Sequence, residues 1–215
     1  MASRSKKHKR AESNNVSSKG IIRGIRDKLR KVGAVKVLDY KIDSTLIILA
    51  GGKSTRMGED KALMFGNASR IQMIAEKLGV KDCITLCGKK SRIGLFKGNV
   101  LPDPESVDGI LDTIIWISKQ VKGRIQLIPC DCFQIKQNGL EYLLRMDDSL
   151  PVDNNGIKQP LLANFNSENI SLNGSTLNDV FSKLRVDDGF HEPSQFNNFN
   201  TQEEVSLMVL EEQKS

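Results

Sequence analysis

Apolar residues along the chain follow two alternating patterns. In the first they form short unbroken runs, TLIILA at 45–50, CITLC at 83–87 and IQLIPC at 125–130. Runs of that length and continuity suit strands buried on both faces. In the second they recur three and four apart: Ile71, Ile74, Ala75 and Leu78, then Ile110, Ile114, Ile117 and Val121. That spacing gathers them on the core-facing stripe of a helix. The order predicts strand 45–50, helix 68–78, strand 83–87, a short strand 99–101, helix 108–121, strand 125–130 and a further helix over 140–144. Beyond it, PLLANF at 160–165 reads as a strand, and Leu177, Val180, Phe181 and Leu184 form another helical stripe. Thr201-Gln202-Glu203-Glu204 is a capping box that opens a last helix.

Strands alternating with helices imply an α/β fold: a three-layer, doubly wound, mostly parallel sheet with helices on both faces. Ligands of such sheets bind beyond the carboxyl ends of the strands. Gly51-Gly52 and Asp131 each directly follow an apolar strand, so both are expected at one crevice.

Charge divides the chain in two. Residues 1–44 hold 13 Lys or Arg against 4 Asp or Glu, whereas the rest hold 19 against 22. The basic character therefore belongs to an N-terminal extension, 1–43, ahead of a domain at 44–215. The first 19 residues carry too little apolar surface to order on their own. Ile21, Ile25, Leu29 and Val32 lie at helical spacing among five basic residues, although Gly20 and Gly24 weaken that helix. Two readings stand for the extension: a solubilising tail, or an arm for an acidic protein partner. Nucleic acid is not favoured, because no aromatic side chain precedes Tyr40 to stack on a base. No run approaches the ~20 apolar residues that cross a bilayer, and the N-terminus lacks an apolar secretory core. No membrane partner and a cytosolic setting are expected. Cys83, Cys87, Cys130 and Cys132 then read as buried, reduced thiols. The C-x-C spacing is not a usual zinc knuckle, and only His8 and His191 could add a nitrogen ligand.

The chemistry concentrates in LAGGKSTRMGEDK, Leu49 to Lys61. Gly51 and Gly52 let backbone N–H groups approach phosphate oxygens. Arg56 offers a planar donor fork, Gly58 permits a further turn, and Lys61 adds a second cation to meet charge at a reacting phosphorus. The segment is neither G-x-x-x-x-G-K-[ST] nor G-x-G-x-x-G.

LAGGKSTRMGEDKAL closely resembles the signature of the molybdenum cofactor guanylyltransferases, the MobA-like nucleotidyltransferases with a nucleotide-diphospho-sugar transferase-like (Rossmann-like) fold. Further segments resemble the family in the same order: Leu101-Pro102-Asp103, Pro129-Cys130-Asp131, Gln159-Pro160-Leu161-Leu162-Ala163 and Phe196-Asn197-Asn198-Phe199-Asn200-Thr201. The resemblance implies that the backbone of Leu49, Ala50, Gly51 and Gly52 reads the base and cradles phosphate. It implies that Asp103 helps recognise the base and that Asp131 holds magnesium beside the nucleotide. Arg56, Lys61 and Asp131 become the catalytic set, with GTP as substrate and Mg2+ as cofactor. The implied reaction is attack by the phosphate of molybdopterin (or molybdenum cofactor) on the α-phosphorus of GTP, releasing pyrophosphate.

The chain departs from the family where a G-P-L-A-G turn usually stands; here the residues are Glu105-Ser106-Val107-Asp108-Gly109-Ile110. The second strand ends in Cys87-Gly88, where family members often place an Asn. CTP or another acceptor, and a non-catalytic nucleotide-binding regulator, are therefore the alternatives. Deletion of residues 1–43 should leave turnover unchanged in a pyrophosphate-release assay. A large loss would make the extension part of the site.

Overall fold

In the computed structural model, residues 43–52, 60–199 and 201–212 are described. The extension expected before Asp43, the side chains of Arg56 and Gly58's turn, and Asn200 lie outside them. Seven strands form one sheet: β1 (Thr45–Leu49), β2 (Cys83–Leu86), β3 (Asn99–Leu101), β4 (Arg124–Pro129), β5 (Ser149–Pro151), β6 (Asn164–Asn166) and β7 (Arg185–Asp187). Their order is β3-β2-β1-β4-β6-β5-β7. β3, β2, β1 and β4 are parallel, β6 runs antiparallel to both β4 and β5, and β7 is parallel to β5. The strand order reverses at β1, since the chain goes out to β3 and returns to β4 on β1's other side. That reversal opens a crevice at the carboxyl ends of β1 and β4.

Alternation along the central strands builds two cores. Leu46 and Ile48 of β1 and Ile128 of β4 pack under helices α1 (Asn67–Leu78) and α3 (Gln137–Arg145), with Ile71, Ala75, Leu140 and Leu143. Ile47 and Leu49, with Ile125 and Leu127, face the other side and meet Ile114 and Ile117 of α2 (Ile110–Gln120). Each fully buried Ile or Leu contributes roughly 1.5–3 kcal/mol relative to exposure. The unbroken apolar runs thus arise because both faces of β1 and β4 are covered.

Two expectations change in the C-terminal third. Residues 160–165 are not one strand: Pro160–Leu162 forms a 3-10 turn, and the strand begins at Asn164. Proline at its start fixes a turn-compatible φ and removes a ladder donor. The stripe from Leu177 to Leu184 makes only one helical turn, α4 (Leu177–Val180), before the chain extends into β7. Its apolar residues are spaced for a helix, yet Phe181 and Leu184 are buried in the core on the α2 side of the sheet. The last helix, α5 (Gln202–Glu212), opens as expected: Thr201 Oγ1 accepts the Glu204 N–H at 3.2 Å, and Glu204 accepts the Thr201 N–H at 3.1 Å.

A buried polar cluster fixes β6. Asn164 donates to Gln126 Oε1 at 3.0 Å and to the Leu143 carbonyl at 3.1 Å, and accepts from Arg124 at 3.0 Å. Gln126 in turn donates to the Leu162 carbonyl at 2.9 Å. The cluster ties β4, α3 and the Pro160–Leu162 turn together, and so places that turn at the crevice. Asn164→Ala should leave the buried Gln126 Oε1 without its Asn164 donor and destabilise the fold by about 1–3 kcal/mol. A lower denaturant midpoint with an unchanged m-value would report it.

Candidate nucleotide site

The carboxyl ends of β1 and β4 leave the sheet side by side. Leu49 pairs with Pro129, and the Cys130 N–H donates to the Leu49 carbonyl at 3.0 Å. Gly51 and Asp131 therefore emerge on adjacent strands, two residues beyond that pair.

The β1 end opens a cavity of about 340 Å³ bordered by Leu49, Gly51, Gly52, Asp103 and the Asp108-Gly109-Ile110 start of α2. Gly51 is required by close packing: a Cβ there would lie 3.0 Å from Asp103 Oδ2 and 3.2 Å from the Gly88 backbone. Gly88, at φ +77°, approaches equally closely, and a Cβ on it would meet Gly51 Cα at 3.2 Å. Asp103 is anchored from the same side, since it accepts the Gly88 N–H at 3.2 Å and donates its own N–H to the Gly88 carbonyl at 2.7 Å. Its carboxyl is raised above the usual carboxylate range by burial, against the opposing pull of the Gly88 N–H and Arg92.

The β4 end opens a second cavity of about 460 Å³, with Asp131, Asp153, Lys158, Gln159, the Pro160–Leu162 turn, Asn197 and Asn198 on its walls. Lys61 Nζ lies 3.3 Å from Asp131 Oδ2 and donates to the Phe199 carbonyl at 2.7 Å. Both side chains of the pair are about one-sixth exposed, so the charges are largely but not wholly removed from water. Asp131 is aimed by the start of α1. Asn67 donates to the Cys130 carbonyl at 2.7 Å, and Arg70 donates to the Cys132, Phe133 and Ile135 carbonyls.

The expected site residues thus divide. Leu49, Gly51, Gly52 and Asp103 share the first cavity, Asp131 borders the second, and Lys61 pairs with Asp131. The Ala50 carbonyl accepts from Arg92 at 2.7 Å. Arg56 lies outside the described residues. Asn67, Arg70 and Arg92 escaped the sequence reading because each acts on backbone carbonyls distant in sequence, and no linear spacing encodes such contacts.

Magnesium characteristically binds through one or two carboxylates together with substrate phosphates. Asp131 supplies one such oxygen group, and the buried Asn197 Oδ1 on the same cavity wall has no hydrogen-bond partner among the described residues. These hard oxygen donors fit that ion. Among the described residues no three His, Cys, Asp or Glu side chains gather as a closed metal site. Burial, with the Asp131 carboxylate next, pushes the Cys130 and Cys132 thiols up to about 12, so they stay protonated near neutrality. No helix among the described residues is long and apolar enough to cross a membrane.

The sequence profile of a MobA-like NTP transferase domain matches residues 46–171. Among solved structures, a protein from Aquifex aeolicus aligns at TM-score 0.60 with 16% identity, over 76% of this chain and 97% of its own. A nucleotidyl transferase from Methanothermobacter thermautotrophicus aligns at 0.58 with 11% identity, over 76% and 94%. A protein from Mycobacterium tuberculosis aligns at 0.55 with 16% identity, over 77% and 97%. At such identities the likeness is one of fold. No curated protein sequence matches the chain.

Because burial raises Asp103, its stabilising contribution is complete below the unfolded value and is lost as pH rises through the folded one. Asp103→Asn should therefore raise the melting temperature of the unliganded protein at pH 7. The gain should shrink as pH falls into the acid range, read by thermal melts across pH.

Proposed function

The chain belongs to the MobA-like NTP transferase domain family, and from that membership we propose that it transfers GMP from GTP to the phosphate of molybdopterin or molybdenum cofactor, releasing pyrophosphate. The observation that carries this reading is the pair of cavities at adjacent strand ends, with the Lys61–Asp131 ion pair at the β4 end. A transferase needs a donor site and an acceptor site that meet at one phosphorus.

In this reading the nucleoside occupies the cavity beside Gly51 and Asp103, and the triphosphate crosses the Gly51–Gly52 backbone toward Lys61. The acceptor enters the cavity walled by Lys158, Gln159 and Asn198, with its phosphate directed at the same point. Lys61 offers its ammonium to the α-phosphate as negative charge builds there, and Arg56 adds a second cation from the same segment. Asp131 would hold magnesium together with phosphate oxygens, aided by Asn197. In that position the ion supplies charge neutralisation on the transferring phosphate. A phosphate acceptor is already ionised near neutrality, so no side chain has to remove a proton; the residues supply position and charge.

One observation favours a second reading for the base. Asp108, Gly109 and Ile110, from the segment 105–110 that stands where the family has its G-P-L-A-G turn, border the first cavity together with Asp103. Cytosine in place of guanine is the change that this wall would govern.

Thermal shift with GTP, CTP, ATP and UTP, each with and without magnesium, tests the reading, because a ligand that binds only the native state raises its melting temperature. GTP with magnesium should give the largest rise. A larger rise with CTP would move the assignment to the cytidine reading, and no rise with any of the four would sink both. Lys61→Ala and Asp131→Asn should each cut pyrophosphate release on the order of 10²-fold with the fold intact. Binding without turnover in the wild type would leave a nucleotide-binding regulator.

A further inference from the structure

The side chain best placed to organise the site lies outside every motif. Arg92 sits in the 3-10 turn Lys90–Leu95 between β2 and β3, and its side chain is 16% exposed. One guanidinium nitrogen donates to two carbonyls, Ala50 and Cys87, both at 2.7 Å. The other reaches both carboxylate oxygens of Asp60, at 2.7 and 2.5 Å. The guanidinium carbon also stands 5.5 Å from the centre of the Phe96 ring.

The partners show what this arrangement does. The ladder between β1 and β2 continues as far as the Ala50 N–H, which donates to the Leu86 carbonyl at 2.8 Å. Arg92 takes up the Ala50 and Cys87 carbonyls where that ladder ends. Ala50 immediately precedes Gly51 and Gly52. Asp60 immediately precedes Lys61, and its Oδ1 also accepts the Ala62 N–H at 3.1 Å. One carboxylate therefore holds the chain on both sides of Lys61, while the guanidinium gripping it holds the residue before the glycines.

We propose that Arg92, acting with Asp60, is a positioning residue that sets the spacing between the Gly51–Gly52 backbone and the Lys61 ammonium, and thereby the triphosphate affinity of the site. This rests on the reading that those two groups grip a triphosphate. A planar guanidinium can serve three partners in fixed directions, which a lysine ammonium on a flexible stem cannot reproduce. Arg92 acts through the groups that touch the substrate, since its donors are directed at Ala50, Cys87 and Asp60.

The test compares nucleotides that differ only in phosphate number. GTP and GMP, and CTP and CMP, are titrated with magnesium into the wild type, Arg92→Lys, Asp60→Ala and the double variant, with kcat and KM measured alongside. Arg92→Lys keeps the charge but loses the geometry. It should weaken triphosphate binding about tenfold and raise KM in proportion, with monophosphate affinity changed by less than about twofold. Asp60→Ala, which spares both carbonyl bonds of Arg92, should show the same selective loss. The double variant should be no worse than the weaker single, as expected for two residues acting as one unit.

Unchanged triphosphate affinity in cooperatively melting Arg92→Lys or Asp60→Ala overturns the proposal. So does an equal loss for monophosphate and triphosphate, which marks a general effect on the fold. If the Arg92 variant does not fold, the Asp60→Ala arm decides alone. A wild type that binds the triphosphates no better than the monophosphates removes the phosphate grip itself and this proposal with it. That failure is read in the wild-type arm alone, so the two causes remain distinct.

Discussion

The parallel pairing of β1 with β4 is the constraint on which the remaining structure depends. It is a pairing between strands far apart in sequence, with β2 and β3 intervening, and it exists because both strands are buried on both faces. Burial under α1 and α3 on one side and α2 on the other leaves no solvated face at which either strand could end the sheet. Once Leu49 lies opposite Pro129, Gly51 and Asp131 must leave the sheet as neighbours. A shift of one residue would turn Leu46 and Ile48 toward the opposite core and separate the two ends. The register that fills the core therefore also assembles the site.

The site's charges are held by structure rather than by one another alone. Lys61 and Asp131 make an ion pair, yet each has additional support: the Phe199 carbonyl accepts from Lys61, and Asn67 and Arg70 fix the backbone around Asp131. Arg92 and Asp60 do the same for the chain ahead of Lys61. A partly buried pair carries a desolvation cost that one contact barely offsets. Lys61 is held on a backbone carbonyl and the chain around Asp131 by Asn67 and Arg70, which in the proposed reading keeps both in place when an anion enters between them. The domain of a nucleotidyltransferase suits such preorganisation, because phosphoryl chemistry asks mainly for fixed charge.

The antiparallel half of the sheet has a different logic. β5, β6 and β7 are three residues each, too short to carry a visible pattern, and they are held by polar contacts such as Asn164 with Gln126. This half supplies the Pro160–Leu162 turn and the 197–198 segment that wall the second cavity. In the proposed reading the residues that would choose the acceptor thus sit on the least regular part of the fold, away from the β1–β4 core.

The sequence by itself determined the helices α1 and α2, the strands β1, β2 and β4 and the capping box of α5. Each is written in local periodicity or in a contiguous motif, and the physical cause of each acts over a few residues. Resemblance to the family supplied the residues worth watching, Asp103 and Asp131 among them. Only the tertiary structure decided that β6 runs antiparallel, that the 177–184 stripe makes a single helical turn, and that Arg92 joins Ala50 to Asp60. Those outcomes depend on which carbonyl lacks a donor after the strands have paired and on which face remains to be covered. Such facts come into being with the fold, and no spacing along the chain records them.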